Sequence, residues 1–563
     1  MAAGGTARHF GVMSEKDKRT SAWFRIWPWL AAVLSGILLA LSFPPCDMGG
    51  LAFVALMPLL FAVWLKRPAR RAGWYHFRLG YVTGLVFFTT TFSWLSELAE
   101  LFHTKMLLGL PLLLAVFLAL CPAAWAWFAG WIVGEHFKPA PLPMPGQPFA
   151  RPPLLQSTRN LLFSLLIAAA WTALEWVRGW LFCWNNLGVS LHLEIPLMQI
   201  VDITGVGGLS FLLVLCNAIG VITILRLRAE IGRVRLRPHF DFSLTVALVV
   251  VVFSYGVRIV MHEQKKDAIK LSVVSIQPNI PQPLKMRNDD ESAGKIRETL
   301  AKHHLVAKLG QPHLTLWPEA TVPGGIFSDA ETEAWVLEQA SQVPALLLGT
   351  DDVNRDGPGD DHNSAALFIR GQKGVQLYDK IHLVPFGEFV PFRPLLGWAV
   401  GDLVGGDFKA GKEPRVFELP VPGVKLGPLI CFEDTDSNLA RAPVKMGAQA
   451  FVNLTNDGWF GRSAETQQHL VNAVFRSVEN RRPMMRSTNT GTTASIDAFG
   501  RVDLWVAPFQ GRTNPAKEVL LSADTSLTFF TRHGEVFTIV CVIIFIATIA
   551  MRALILRRRN QAS

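Results

Sequence analysis

Cysteine is scarce in this 563-residue chain, and its six copies are poorly placed for disulfides. Cys121, Cys216 and Cys541 fall within long apolar runs, Cys46 and Cys183 at the edges of such runs, and Cys431 stands alone in the more polar middle of the chain. A disulfide framework is therefore excluded for that middle part. Cys and His spacings of the kind that hold zinc are missing as well, so neither a metal nor a soluble cofactor is expected. There is no internal repeat. The basic leader is long and the first apolar run has no small-residue cleavage site, which argues against a cleavable signal peptide. "LSFPPC", ending at Cys46, resembles a lipoprotein processing site only loosely, because two prolines precede the cysteine.

Apolar residues, by contrast, make up half of the chain, and the mean hydropathy is +0.30. Eight segments are apolar and long enough to be expected as membrane spans: about 27–43, 50–65, 79–96, 106–134, 160–182, 198–225, 242–260 and 535–556. A net charge of +10 and a pI near 9.4 are compatible with nucleic-acid binding, but the basic residues gather in blocks beside these runs. Lys16, Lys18, Arg19 and Arg25, "KRPARR", Arg151 with Arg159, "RLRAEIGRVRLR" and the final "RRR" all fall on one side of the alternating spans. The positive-inside rule places that side, and both termini, in the cytoplasm, with no nucleic acid as partner. The expected organisation is a bundle of about seven spans over 1–260, an extracytoplasmic domain over 261–534, and a last span with a basic tail over 535–563.

Within 261–534 the apolar runs shrink to strand length: "LSVVSIQ", "LTLWP", "ALLLGT", "SAALFIR", "LGPLIC" and "AFVNLT". They alternate with helical patterns such as "DDESAGKIRETLAKHHLVAKLG" and "SAETQQHLVNAVFRSVENRR", which predicts a layered α/β domain. "KPAPLPMPGQPFARPP" reads as a cytoplasmic linker.

Cys431 sits in "KLGPLICFEDTDSNLAR", where a buried strand meets a polar turn. A free cysteine of this kind is either a small packed hydrophobe or a nucleophile served by backbone N–H groups at the turn. A nucleophile needs a base and a source of positive potential. "LTLWPEATVPGG" offers Glu319, and "LYDKIHLVPFGEFVPF" offers Lys380, His382 and Glu388. Each has an ordinary reading as a surface charge or a salt-bridge partner, but the set taken together points to catalysis.

"WPEA", "YDKIHLVPFGEFVP" and "LICFED", in that order, resemble the Glu, Lys and Cys motifs of the nitrilase superfamily, whose domain is an αββα sandwich. With the flanking membrane bundle, the whole chain resembles the bacterial apolipoprotein N-acyltransferases. "QPNIPQ", "NLTNDGWFG", "RSTNTGTTASIDAFGR", "EWVRGWLF" and "GVGGLSFL" look like further motifs of that family. The resemblance implies Glu319 as general base, Lys380 as stabiliser of the tetrahedral intermediate, Cys431 as nucleophile and Glu388 as orienter of the lysine. Phe432 and Glu433 would line the site, with the Phe432 N–H as an oxyanion donor. It implies a phospholipid acyl donor, a diacylglyceryl-modified apolipoprotein as acceptor, a thioester between them, and a place in the bacterial inner membrane with the catalytic domain periplasmic. Met286 departs from the pattern, since such enzymes often carry Trp after "IPQxxK"; Met286, Trp459 and Phe460 are the expected substrate-binding residues. Apolar, glycine-rich loops over Phe389–Phe408 and at "GWF" are expected to dip into the membrane interface and exclude water.

Glu175 and Arg178, three apart, can pair on one helical face, and Asp202 opens the sixth span; these read either as functional charges or as anchors. A membrane-tethered nitrilase-type hydrolase, a lipid-binding or transport protein, and a Cys/His dyad using His382 are the competing readings.

Overall fold

The computed structural model describes residues 15–65, 72–133, 153–230, 238–262 and 268–562, apart from 288, 323–324, 356, 358, 392, 395–406 and 524. "KRPARR", residues 231–237 of "RLRAEIGRVRLR" and nearly all of the proline-rich linker lie outside the described residues.

An apolar run in lipid must pair its backbone N–H and C=O groups within its own segment, and a helix does so. Among the described residues, six helices are long and apolar enough to cross a membrane: Trp23–Leu41, Lys105–Val133, Leu154–Trp180, Val206–Arg228, Phe240–Met261 and Val536–Ile555. The other two expected spans take a different form. Segment 50–65 is broken into a 3-10 turn, Gly49–Phe53, and a nine-residue helix, Met57–Leu65. That helix is too short to cross about 30 Å of hydrocarbon by itself. Segment 79–96 covers the second half of the 20-residue helix Ala72–Thr91, where His76 and Arg78 dilute the apolar character, and runs on into the 3-10 turn Ser93–Glu97. The sixth expected span begins only at Val206, after two short helices, Ile195–Met198 and Val201–Thr204, that end at Gly205 with φ +65°. The C-terminal helix returns to the bundle, with Phe545 edge-on to Phe128 at 4.9 Å and Phe537 edge-on to Phe211 at 5.4 Å.

The α/β half contains strands β1 (Ile269–Gln277), β2 (Leu314–Leu316), β3 (Ala345–Asp352), β4 (His362–Ile369), β5 (Gln376–Asp379), β6 (Phe417–Leu419), β7 (Val424–Ile430), β8 (Ala450–Thr455), β9 (Met484–Thr488), β10 (Thr493–Ile496), β11 (Val502–Val506), β12 (Arg512–Thr513) and β13 (Lys517–Leu521). They form two sheets, one in the order β12-β1-β2-β3-β4-β5 with β13 also on β1, the other β11-β10-β9-β8-β7-β6.

Alternation along each strand divides its side chains between two cores. Leu271, Val273, Leu347, Leu426, Val452 and Leu454 meet between the sheets. Val274, Ile276, Leu346 and Leu348 face outward onto the helices Asp290–Leu309 and Ala330–Ser341. The outward residues of the second sheet, Leu429, Phe451, Met484 and Ile496, pack under Ala440, Val444, Val474 and Phe475. These belong to helices Ser437–Lys445 and Glu465–Asn480. The layers are therefore αββα. The last of the three cores runs on without a break into the membrane bundle, so the two halves share one apolar interior.

Candidate active site

Glu319 follows β2 in a segment laced to β3. The Gly349 N–H donates to Pro318 O at 3.1 Å, and the Thr321 N–H donates to Gly349 O at 2.9 Å. Gly349 permits this approach, since a Cβ there would stand 2.6 Å from Glu319 Cα. Lys380 comes one residue after β5 and its N–H donates to Asn363 O on β4 at 2.8 Å. Its side chain is buried, with Nζ 2.8 Å from Glu388 Oε1 and 3.3 Å from Glu319 Oε1. Asn363 holds the two carboxylates in place, its Nδ2 donating to Glu319 at 2.8 Å and to Glu388 at 2.7 Å. Glu388 is fixed from the other side by the Val384 N–H at 2.8 Å.

Cys431 sits where β7 ends, with φ +51°, in the left-handed region that a residue with a Cβ seldom occupies. A one-turn 3-10 helix, Cys431–Thr435, follows, and Asp436 then caps helix Ser437–Lys445 through the N–H groups of Asn438 and Leu439. The thiol is thus presented on a sharp strand-to-helix elbow. Asn453 Nδ2 holds the Cys431 carbonyl at 3.0 Å. Burial, and after it the charge of Glu319, pushes the thiol up to about 12, while Lys380 and His469 pull it down. Burial by itself would depress the Lys380 ammonium, but Glu388 and Glu319 reverse this and hold it well above its usual range. The resting site is therefore a protonated thiol beside a fixed ammonium and two carboxylates.

Glu433 lies near enough to Lys380 for the lysine's charge to act on it. It is fully buried and accepts from the N–H groups of Ile381 (2.7 Å), His382 (3.1 Å) and Ile430 (2.8 Å) and from Tyr378 Oη (2.9 Å). It therefore ties the strand leading into Cys431 to the segment just after Lys380. Burial raises its carboxyl to about 7 against the pull of those N–H donors. Phe432 points to the membrane half, stacked on Trp184 at 5.7 Å and 8° and on Phe182 at 5.8 Å. His382 is committed to Asp436 at 3.1 Å and lies edge-on to Phe432. Phe460 packs against Trp94 at 4.6 Å, and Met286 is exposed at the end of the short helix Gln282–Lys285. Of Phe389–Phe408, residues 392 and 395–406 lie outside the described residues; the flanks are joined by Arg393 and Asp407 at 2.6 Å.

The structure adds residues the sequence did not single out. Asn363 is one. Lys285 and Asp351 form another pair, close enough that their charges act on Glu319, with Lys285 Nζ 3.4 Å from Glu319 O. Burial lowers Lys285 and raises Asp351 to about 6. Behind the elbow, Arg486 bridges Asp434 and Asp457, and His469 lies 3.0 Å from Asp434 and 2.9 Å from Asp457. Asp457, Glu465 and His469 bring ligand atoms within 4.8 Å of one another, a set with metal-ligand chemistry. Arg486 already supplies positive charge there. Glu175 and Arg178 pair at 4.0 Å, and Arg178 grips the loop that carries Trp184 through Trp184 O and Asn186. Asp202 accepts from Arg481 of the α/β half at 2.8 Å. Glu175 and Arg178 thus brace a loop within the membrane half, and Asp202 ties that half to the α/β half.

A family model described as the apolipoprotein N-acyltransferase N-terminal domain matches residues 35–219, and one described as carbon-nitrogen hydrolase matches residues 273–506. An apolipoprotein N-acyltransferase of Geobacter metallireducens is 34% identical over 532 residues, covering 91% of this chain and 93% of its own. One from Methylococcus capsulatus is 31% identical over 485 residues, covering 84% and 86%. A solved amidase of the nitrilase superfamily from Nesterenkonia, 17% identical, covers 46% of this chain and 93% of its own with a TM-score of 0.35. Glu319, Lys380 and Cys431 lie within the second matched region, and Trp184 within the first.

Proposed function

The chain belongs to the apolipoprotein N-acyltransferase family, enzymes of the nitrilase superfamily, and from that premise we propose a two-step acyl transfer through Cys431. The observation that carries it is the arrangement around Lys380, where one ammonium serves two carboxylates beside a thiol that is protonated at rest. In the first step Glu319 takes the thiol proton as Sγ bonds to the ester carbonyl carbon of a membrane phospholipid. The resulting oxyanion is stabilised by Lys380 and the Phe432 N–H, since the opening N–H groups of a helical turn have no intrahelical acceptor. Collapse breaks the bond to the glycerol oxygen, which receives the proton from Glu319 and leaves as a lysophospholipid. In the second step the α-amine of a diacylglyceryl-cysteine lipoprotein attacks the thioester, Glu319 accepts its proton, an amide forms, and the sulfur leaves to be reprotonated. Glu388 and Asn363 keep Lys380 and Glu319 in register throughout.

Aromatic contacts on the membrane side of the elbow, Phe432 with Trp184 and Phe460 with Trp94, favour a lipid donor reached through the bundle over a water-fed hydrolase. Incubation with phospholipid alone is expected to add one acyl mass to the intact protein and to release lysophospholipid, and Cys431→Ala to do neither. Release of free fatty acid without a stable adduct would favour the hydrolase, and full transfer by Cys431→Ala would remove Cys431 from the chemistry.

The six apolar helices and the family make this a membrane protein. The blocks of basic residues further support residues 261–534 on the periplasmic side of the inner membrane, with 1–260 and 535–563 as the spanning parts and both termini cytoplasmic. Labelling of an engineered surface cysteine in 261–534 by a membrane-impermeant maleimide, in cells with a permeabilised outer membrane, tests this; protection until the inner membrane is broken would reverse it.

A further inference from the structure

Gln468 is almost fully buried on helix Glu465–Asn480, and every partner of its side-chain amide belongs to the membrane half. Oε1 accepts from Trp94 Nε1 and Trp184 Nε1 at 3.1 Å each and from Asn185 Nδ2 at 3.0 Å. Nε2 donates to Pro44 O and Thr91 O at 3.0 Å each. These groups come from the turn after the first long helix, the end of helix Ala72–Thr91, the 3-10 turn Ser93–Glu97, and the loop after helix Leu154–Trp180. Three N–H donors on one side and two carbonyls on the other call for an accepting oxygen beside a nitrogen that donates twice, which is what an amide supplies.

One of those bonds leads to the nucleophile. Gln468 fixes the Trp184 indole through its N–H; that indole is stacked face to face on Phe432, and Phe432 is bonded directly to Cys431. The next residue on the helix, His469, touches the same indole at 5.3 Å between ring centres and reaches the acidic groups behind the elbow. A left-handed backbone at Cys431 persists only if its surroundings hold it, and part of that hold comes from the membrane half.

We propose that Gln468 is a positioning residue that couples the membrane bundle to the catalytic elbow, so that the bundle completes the active site as well as anchoring it. This rests on the reading of Cys431 as nucleophile. The test uses the full chain in detergent micelles and needs no acyl substrate: iodoacetamide alkylation of Cys431, quantified on its own peptide by mass spectrometry. In Gln468→Leu, which keeps bulk but no polar atom, alkylation at pH 8 is expected to slow at least tenfold relative to wild type. Gln468→Glu keeps the three accepted bonds but sets an anionic oxygen against Pro44 O and Thr91 O until it is protonated. Its rate relative to wild type is therefore expected to climb as pH falls from 8 to 6. A wild-type rate in Gln468→Leu, or a Gln468→Glu ratio that does not change with pH, overturns the proposal; if the leucine variant does not fold, the glutamate ratio alone decides. Failure of the underlying reading would show separately, as Cys431 alkylation in wild type that Glu319→Gln leaves unchanged.

Discussion

Two buried charge clusters, one in each half, are built from similar parts and behave differently. In the membrane half, Asp241 is fully buried and accepts from Arg226 Nη1 at 2.9 and 3.0 Å, Ser157 Oγ at 3.0 Å and Asn160 Nδ2 at 2.8 Å. One anion meets one cation there, and both oxygens are taken up. In the α/β half, Lys380 stands between Glu319 and Glu388, so one cation meets two carboxylates, with the Cys431 thiol alongside. Among the described residues the first cluster has no unmatched charge, and it holds helices together. The second is one positive charge short, so a carboxylate is left to take the thiol proton in the proposed chemistry, which moves a negative charge onto sulfur and leaves the total unchanged.

The sharpest way to break this comparison is to remove the cation from the reactive cluster. Lys380→Ala is expected to lower transfer by about a hundredfold or more, the scale of losing one oxyanion donor. His382→Ala gives up the contact with Asp436 and the edge-on packing on Phe432 and is expected to retain most activity. Kinetics on folded variants check both, and the reverse ranking would move the chemistry to a Cys/His dyad. The same substitution has a pH signature. With the thiol held up at about 12, its thiolate fraction at neutral pH is small and grows with pH; without Lys380 the thiol rises further, so the alkylation profile of Cys431 shifts to higher pH. An unshifted profile would detach Lys380 from the thiol.

Opening the balanced cluster sharpens the contrast from the other side. Arg226→Met leaves Asp241 buried with two neutral donors and is expected to cost on the order of 3–5 kcal/mol in stability, the usual loss when one partner of a buried pair is removed. The rate per folded molecule should stay near wild type. Thermal unfolding in detergent and active-site titration separate the two quantities, and a large loss of turnover at unchanged stability would show that the membrane cluster also serves the chemistry.

Much of this was legible in the amino-acid order because the signals are local. Helical runs of about twenty apolar residues, strand-length alternation, and a base, a lysine and a thiol each held in a short distinctive motif can be read without knowing what lies across from them. Where apolar character was read without its interruptions the reading missed: residues 50–65 break at a 3-10 turn, and the run expected as a span over 198–225 is one continuous helix only from Val206. Glu433 shows a different limit. Its place beside Cys431 suggested a lining residue, but which way it turns depends on N–H groups about fifty residues earlier in the chain.

The sequence by itself determined where the chain is compatible with lipid, the alternation that builds two sheets, and the candidate reacting groups, because hydropathy, periodicity and functional-group chemistry belong to each segment. Only the tertiary structure decided that Asn363 would hold Glu319 and Glu388 together, that Lys285 and Asp351 would join them, and that Gln468 would gather Pro44, Thr91, Trp94, Trp184 and Asn185. These rest on hydrogen bonds that reach only about 3 Å and, for Asp351, on the charges of Lys285 and Glu319, between residues tens to hundreds of positions apart. Such partners meet only after both sheets and the bundle have packed, and no local pattern in the chain records which donor will face which acceptor.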